Sequence, residues 1–199
     1  MKIYGDKISG NCYKIQLVCH LLKLDYEWVD VDVVSGGART PDFVAKNPNA
    51  KVPLLALDDG RFLSESNAII NFLAVDSALL PKDVFTLAKV QQWQFFEQYS
   101  HEPFIAVARF INKFQGMPES RRDEYLSKHE GGYKALQVME DQLQQTRYLV
   151  GEAFTVADVA LYAYTHVAHE GGFSLANYPQ IQRWIKDIES LDNFVAMGR

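Results

Sequence analysis

The hydrophobic pattern of this chain changes once, near Val75, and that change governs what the chain can fold into. Before it, short alternating runs and short helical runs take turns; beyond it, every apolar period is helical. Residues 2–4 read as a strand. From Cys12 the apolar positions Ile15, Val18, Cys19 and Leu22 follow helical spacing, and that helix stops near Leu24–Asp25. "YEWVDVDVV", 26–34, sets Trp28, Asp30 and Asp32 against Val29, Val31 and Val33, the alternation of a half-buried strand. Thr40–Pro41 pairs an N-cap with a proline at the first helical position, and Asn47–Pro48 ends the short helix so opened. "VPLLALDDGRFLS" is a hairpin that turns at Asp58-Asp59-Gly60. A helix from about Glu65 places Ala68, Ile69, Phe72 and Leu73 on its inner face. The order is β-α-β-α-β-β-α.

"DSALLPKD" then leads into helices alone. A long one spans roughly Val84 to Phe114 with a kink at Pro103. The next, about Glu119 to Gln145, is weakened by Gly131–Gly132. "FTVADVALYAYTHVAH" is nearly apolar throughout and predicts a buried central helix, opened by the capping box Thr155-x-x-Asp158. Pro179 opens the last, which carries Ile181, Trp184, Ile185 and Ile188. The fold class is α/β plus all-α, with one domain over 1–75 and a helical one over 84–199.

Bulk properties exclude several functions. The basic residues are dispersed in a chain of net charge -5, which is the opposite of a nucleic-acid or anionic-membrane footprint. No apolar run approaches the ~18 residues of a membrane span, and "MKIYGDKISG" has no apolar leader. Cys12 and Cys19 lie on one apparent helix and cannot make a disulfide framework. A cytoplasmic protein that binds neither nucleic acid nor membrane is expected.

Three stretches offer chemistry. Ser9, Asn11 and Cys12 meet at the first strand-to-helix turn, where they are either caps or donors to a reacting group; Cys12, in the first helical turn, is also a nucleophile if the helix dipole acidifies it. Ser64-Glu65-Ser66-Asn67 opens a helix, either as a plain cap or as an anion site of free N–H groups. Asn47-Pro48-Asn49-Ala50-Lys51-Val52-Pro53 brackets a turn, and by frequency alone Pro53 is trans, since only ~5–6% of X-Pro bonds are cis. Metal motifs fail: His101–Glu102 lacks a second histidine because residue 105 is Ile, and His166-x-x-His169 has no third ligand at a known spacing. No metal is expected.

Taken in order, Ser at the first strand-to-helix turn, Val-Pro opening the third strand, Glu-Ser at the third helix and an all-α domain with a capping box resemble the cytosolic glutathione S-transferases, most nearly bacterial serine-type or Ser-x-Asn members. The resemblance covers essentially the whole chain. It implies a thioredoxin-like first domain, a homodimer, and glutathione as co-substrate. Pro53 is then cis, and Val52 offers its backbone to glutathione as a neighbouring strand would. Glu65 and Ser66 hold the γ-glutamyl end, while Lys51 and Arg39 reach the glycyl carboxylate. Ser9 and Asn11 become the catalytic donors to the sulfur, with Tyr4 a weaker candidate and Cys12 one helical step out of place for a cysteine-type enzyme. Ala50 stands where many relatives have glycine, and Asn49 is expected to take the tight turn. An acceptor site for a hydrophobic electrophile is expected from Phe96, Tyr99, His101, Phe104 and Arg109. Glutathione-dependent reduction of disulfides or peroxides, and a non-catalytic binding module, are the competing functions.

Overall fold

Four short strands, β1 (Lys2–Gly5), β2 (Glu27–Asp30), β3 (Leu54–Ala56) and β4 (Phe62–Ser64), pair in the order β2-β1-β3-β4. The computed structural model describes residues 1–198; Arg199, the end of the expected helical domain, lies outside the described residues. β2 runs parallel to β1, with Ile3 opposite Trp28, whereas β3 and β4 are antiparallel, with Leu55 between Ile3 and Leu63. A parallel pair needs a crossover, and α1 (Gly10–Leu21) supplies it; the β3–β4 pair needs only a turn, in which Gly60 adopts φ 87°. α2 (Pro41–Val44) starts on a Thr40 cap, and α3 (Ser66–Ala74) follows β4. This four-stranded mixed sheet with its helices is the thioredoxin-like arrangement expected. The Val52–Pro53 bond is cis, as the resemblance implies.

α1 is buried at every position from Cys12 to Cys19, Lys14 and Gln16 included. Gly5 lets it approach, because a Cβ there would stand 2.6 Å from the Trp28 ring and 3.1 Å from Cys12 Sγ. Part of the cover comes from the far end of the chain: Tyr13 Oη donates to Val195 O at 2.7 Å, and the chain from Leu191 on belongs to the same compact unit as Met1–Ser77. The helical unit is accordingly Ala78–Ser190, shorter than the expected 84–199 at its end and longer at its start.

Three local expectations differ from the structure. The strand expected through Val34 ends at Asp30, because Asp32 accepts from the N–H and hydroxyl of Ser35 and its carbonyl accepts from Gly37 N–H, folding the chain into a turn with Val34 exposed. The inner face of α3 is Ser66, Ile69, Ile70 and Ala74; Ala68 and Phe72 are exposed, since the buried Ser66 sets the phase of the helix. In the turn before β3 it is Ala50 and not Asn49 that takes positive φ, at 52°, a conformation that costs an L-residue roughly 1–2 kcal/mol. Asn47 holds this turn, donating from Nδ2 to Lys51 O at 2.7 Å and accepting from Asn49 N–H.

In the helical unit, α4 (Val84–Phe96) and α5 (Glu102–Arg109) form one path joined by a π-turn over Glu97–His101. Pro103 has no N–H and its ring crowds the preceding turn, so the helix widens ahead of it and Glu102 N–H reaches back five residues to Glu97 O. α6 (Arg122–Leu143) runs unbroken past Gly131 and Gly132. These glycines are packing residues: a Cβ on either would lie 2.3 Å from the ring of Phe104 or Phe173. α7 (Val156–Thr165) is buried along its whole length and carries the expected capping box, while α8 (Pro179–Glu189) begins where Glu140 accepts from the N–H groups of Gln180 and Ile181.

Candidate active site

The loop between β1 and α1 is built around Asp6. Its carbonyl accepts from Ser9 N–H at 3.0 Å, and its two carboxylate oxygens accept from Ile8 N–H and Val33 N–H, each at 3.1 Å. Ser9 is thereby set, half-buried and extended, as the N-cap of α1, its Oγ accepting from Cys12 N–H at 3.4 Å. Capping and chemistry do not compete here, because the cap uses a lone pair of the oxygen and leaves the hydroxyl hydrogen to be aimed.

Cys12 is fully buried under this loop. Burial pushes its thiol up to about 12, against smaller opposite pulls from the Ser9 hydroxyl and from Asp6 N–H, which donates to the sulfur at 3.4 Å. A thiol so held is almost never thiolate at neutral pH. The helix dipole does not acidify Cys12, and Cys19 is likewise buried and raised to about 12. Tyr4 stands edge-on to Phe43 beside the cluster of Val31, Ala38, Phe43 and Leu54, a core position.

The start of α3 meets the start of α1. Ser66 is buried and donates to Asn11 Oδ1 at 3.1 Å, and Lys14 Nζ donates to Ser66 Oγ at 3.2 Å. The exposed Glu65 precedes them at φ 69°, ψ 113°, outside the allowed regions for a side-chain-bearing residue, and its own side chain makes no capping bond to the helix. Such a non-glycine outlier costs on the order of 1–3 kcal/mol and tends to occur where function requires it. Next to it, the N–H groups of the first helical turn and the exposed carboxylate of Glu65 offer an anion and a cation site side by side. Lys51 and Arg39 are both exposed, Lys51 at the turn that Asn47 holds and Arg39 at the end of a single 3₁₀ turn. Val52 is half-buried beside the core cluster, ahead of Pro53.

The five acceptor-site candidates separate within the helical unit. His101 is fully buried with Nε2 at 2.9 Å from Thr165 Oγ1, and Arg109 is buried with Nε donating to Glu170, which also pairs with Lys113. Both are occupied in holding helices together. The half-buried Phe104 packs its ring on Gly131. Phe96 stands edge-on to Trp93 and lines a cavity of about 250 Å³ with Trp93, Val138 and Gln142, and Tyr99 is 88% exposed. His166 stacks on Tyr162 and bonds to its carbonyl at 2.8 Å, and burial holds its imidazole down at about 4, as suits a core residue.

Asp6 and Lys14, which hold the Ser9 loop and the Ser66–Asn11 pair, belong to none of the sequence motifs. Lys14 had a signal: it is the one charged residue between Cys12 and Cys19, three positions after Asn11 on the same helical face.

Comparison with known proteins agrees along the length of the chain. Residues 8–75 match the family described as glutathione S-transferase, N-terminal domain, and residues 94–192 match glutathione S-transferase, C-terminal domain. The crystal structure of a glutathione S-transferase from Pseudomonas fluorescens [Pf-5] is 59% identical, covers 98% of each chain and superposes with a TM-score of 0.97. Glutathione S-transferase 3 of Zea mays is 30% identical over 98% of this chain and 91% of its own length. The disulfide-bond oxidoreductase YfcG of Escherichia coli (strain K12) is 27% identical over 92% of this chain and 87% of its own.

Proposed function

Because this chain belongs to the glutathione S-transferase family, we propose that it binds glutathione in its first unit and activates the thiol, as thiolate, for attack on hydrophobic electrophiles. The observation that carries this reading is the Ser9 cap. A hydroxyl whose oxygen is fixed at a helix N-terminus has its hydrogen available for an incoming sulfur, and the neighbouring cysteine is too buried to compete. A free thiol of pKa ~8.5 is a few per cent ionised at neutral pH. Lowering that value by ~2 units takes about 2.7 kcal/mol of preferential stabilisation of the anion. The Ser9 hydroxyl, an Asn11 amide N–H and the positive end of α1 supply it together. Ser9 donates and does not attack.

The γ-glutamyl carboxylate takes the N-terminal end of α3 and the γ-glutamyl ammonium takes Glu65, with Val52 pairing the cysteinyl backbone and Lys51 and Arg39 at the glycyl end. Glu65→Gln is expected to weaken glutathione binding by about 1.5–3 kcal/mol, the worth of a hydrogen bond to a charged group, at unchanged thermal stability. Calorimetric titration measures it, and equal affinity of the two proteins would remove Glu65 from the site. The reading includes a homodimer, to be checked by sedimentation at micromolar concentration; Phe62 and Phe72, each 45% exposed on the first unit, are apolar surface that a partner would cover.

The second reading is glutathione-dependent reduction of disulfides, which Asn11 and the resemblance to the oxidoreductase YfcG favour. One panel decides: an aryl halide, a hydroperoxide and a mixed disulfide, each with glutathione and wild-type protein. Turnover of the aryl halide above the others supports the transferase. Preference for the disulfide or the hydroperoxide supports the reductase, and binding of glutathione without turnover of any substrate identifies a binding module.

A further inference from the structure

We propose that Lys14 is a positioning residue that acts through Ser66 to set which half of the Asn11 amide faces the sulfur of bound glutathione; this rests on the role proposed above for Asn11. Lys14 is fully buried in α1, between Cys12 and Cys19, where an apolar side chain would avoid the desolvation of an ammonium. Its Nζ lies 3.2 Å from Ser66 Oγ, and Ser66 Oγ lies 3.1 Å from Asn11 Oδ1.

The donor and acceptor inventory gives that chain a direction. An ammonium only donates, so it takes one lone pair of the Ser66 oxygen, and the hydroxyl hydrogen, turned away from that charge, is donated to Asn11 Oδ1. With its oxygen held, the planar amide turns its Nδ2 hydrogens away from Ser66. A thiolate only accepts, so an amide in this orientation stabilises it, while a reversed one would set oxygen against sulfur. The ammonium disfavours a second positive donor, Asn11 Nδ2, at the same oxygen; without it the Ser66 hydroxyl accepts from Nδ2 as readily as it donates to Oδ1, and the pair no longer selects the productive orientation. The buried charge also polarises the hydroxyl it binds, which strengthens the second link. Asn11 and Lys14, three apart, share one face of α1, and the start of α3 brings Ser66 to both.

The test is the apparent pKa of enzyme-bound glutathione, read from ultraviolet thiolate absorbance against pH, in a double-mutant cycle on the full chain. Lys14→Met is expected to raise that pKa by about one pH unit, the scale of one hydrogen bond to a charged group. In an Asn11→Ala background the same change is expected to add nothing, and Lys14→Arg to keep most of the wild-type value. Equal shifts in both backgrounds would show a charge acting directly on the sulfur and would overturn the relay, as would no shift in the wild-type background. An Asn11→Ala protein with unaltered thiolate pKa would sink the role of Asn11 itself, and the relay with it, so the two failures are told apart. If Lys14→Met does not fold, Ser66→Ala in the same cycle breaks the middle link and is judged by the same two outcomes.

Discussion

Replacing Asp158 by alanine is expected to cost the folded protein about 4 kcal/mol or more. The carboxylate is fully buried at the start of α7 and accepts four hydrogen bonds: Leu149 N–H, Thr155 N–H and Trp184 Nε1 at 2.9 Å, and the Thr155 hydroxyl at 3.2 Å. Alanine leaves those donors in a dry interior, where each unmet one costs roughly 1–3 kcal/mol before relaxation, and also removes the cap. Against a total of ~5–15 kcal/mol the loss is large, and it corresponds to a melting point lower by ~8–16 °C for a chain of this size. The variant also tests a pH dependence. Burial raises this carboxyl to about 6, above the 3.8 of the unfolded chain, so the folded state binds the proton more readily. Its contribution is fully present below about 4 and falls as pH rises through about 6, and Asp158→Ala should flatten that slope. A melting point within ~2 °C of wild type would mean that α7 does not depend on its capping box.

Ser9→Ala is expected to lower turnover ten- to a thousand-fold, the range for losing one preorganised donor to a developing anion. Two effects must be separated, because Ser9 also caps α1, and losing an N-cap costs ~1 kcal/mol of stability without touching the sulfur. Ser9→Thr keeps both cap and hydroxyl and is expected to keep most of the activity. Asn11→Ala should lose less than Ser9→Ala, and Cys12→Ala least, since that thiol is buried and raised to about 12. Initial rates at saturating glutathione rank the four variants. A Cys12→Ala protein as impaired as Ser9→Ala would contradict the ranking. A mixed disulfide of glutathione on Cys12 would place the chain among cysteine-type redox enzymes.

The sequence carries most of the fold and about half of the site, for physical reasons. The βαβαββα order is legible because Thr40–Pro41, Asn47–Pro48 and Asp58-Asp59-Gly60 are local signals, each setting its own turn. Lengths are less so: Asp32 reads as the polar face of a strand until its bonds to Ser35 turn the chain. Gly131–Gly132 read as weakness because propensity is local, whereas the rings they admit come from Phe104 and Phe173. Ser9, Glu65 and Ser66 stand out because each sits at a helix start. The links between them do not. Asn11 and Ser66 are 55 residues apart, and the lone charge of Lys14 between Cys12 and Cys19 does not say which residue of another element it meets.

Glutathione, once bound, is expected to be held as its thiolate at neutral pH. Titrating the wild-type protein at saturating glutathione and following thiolate absorbance against pH tests it in one experiment. An apparent pKa about two units below the ~8.5 of a free thiol is expected. Bound glutathione that still ionises near ~8.5 would contradict it.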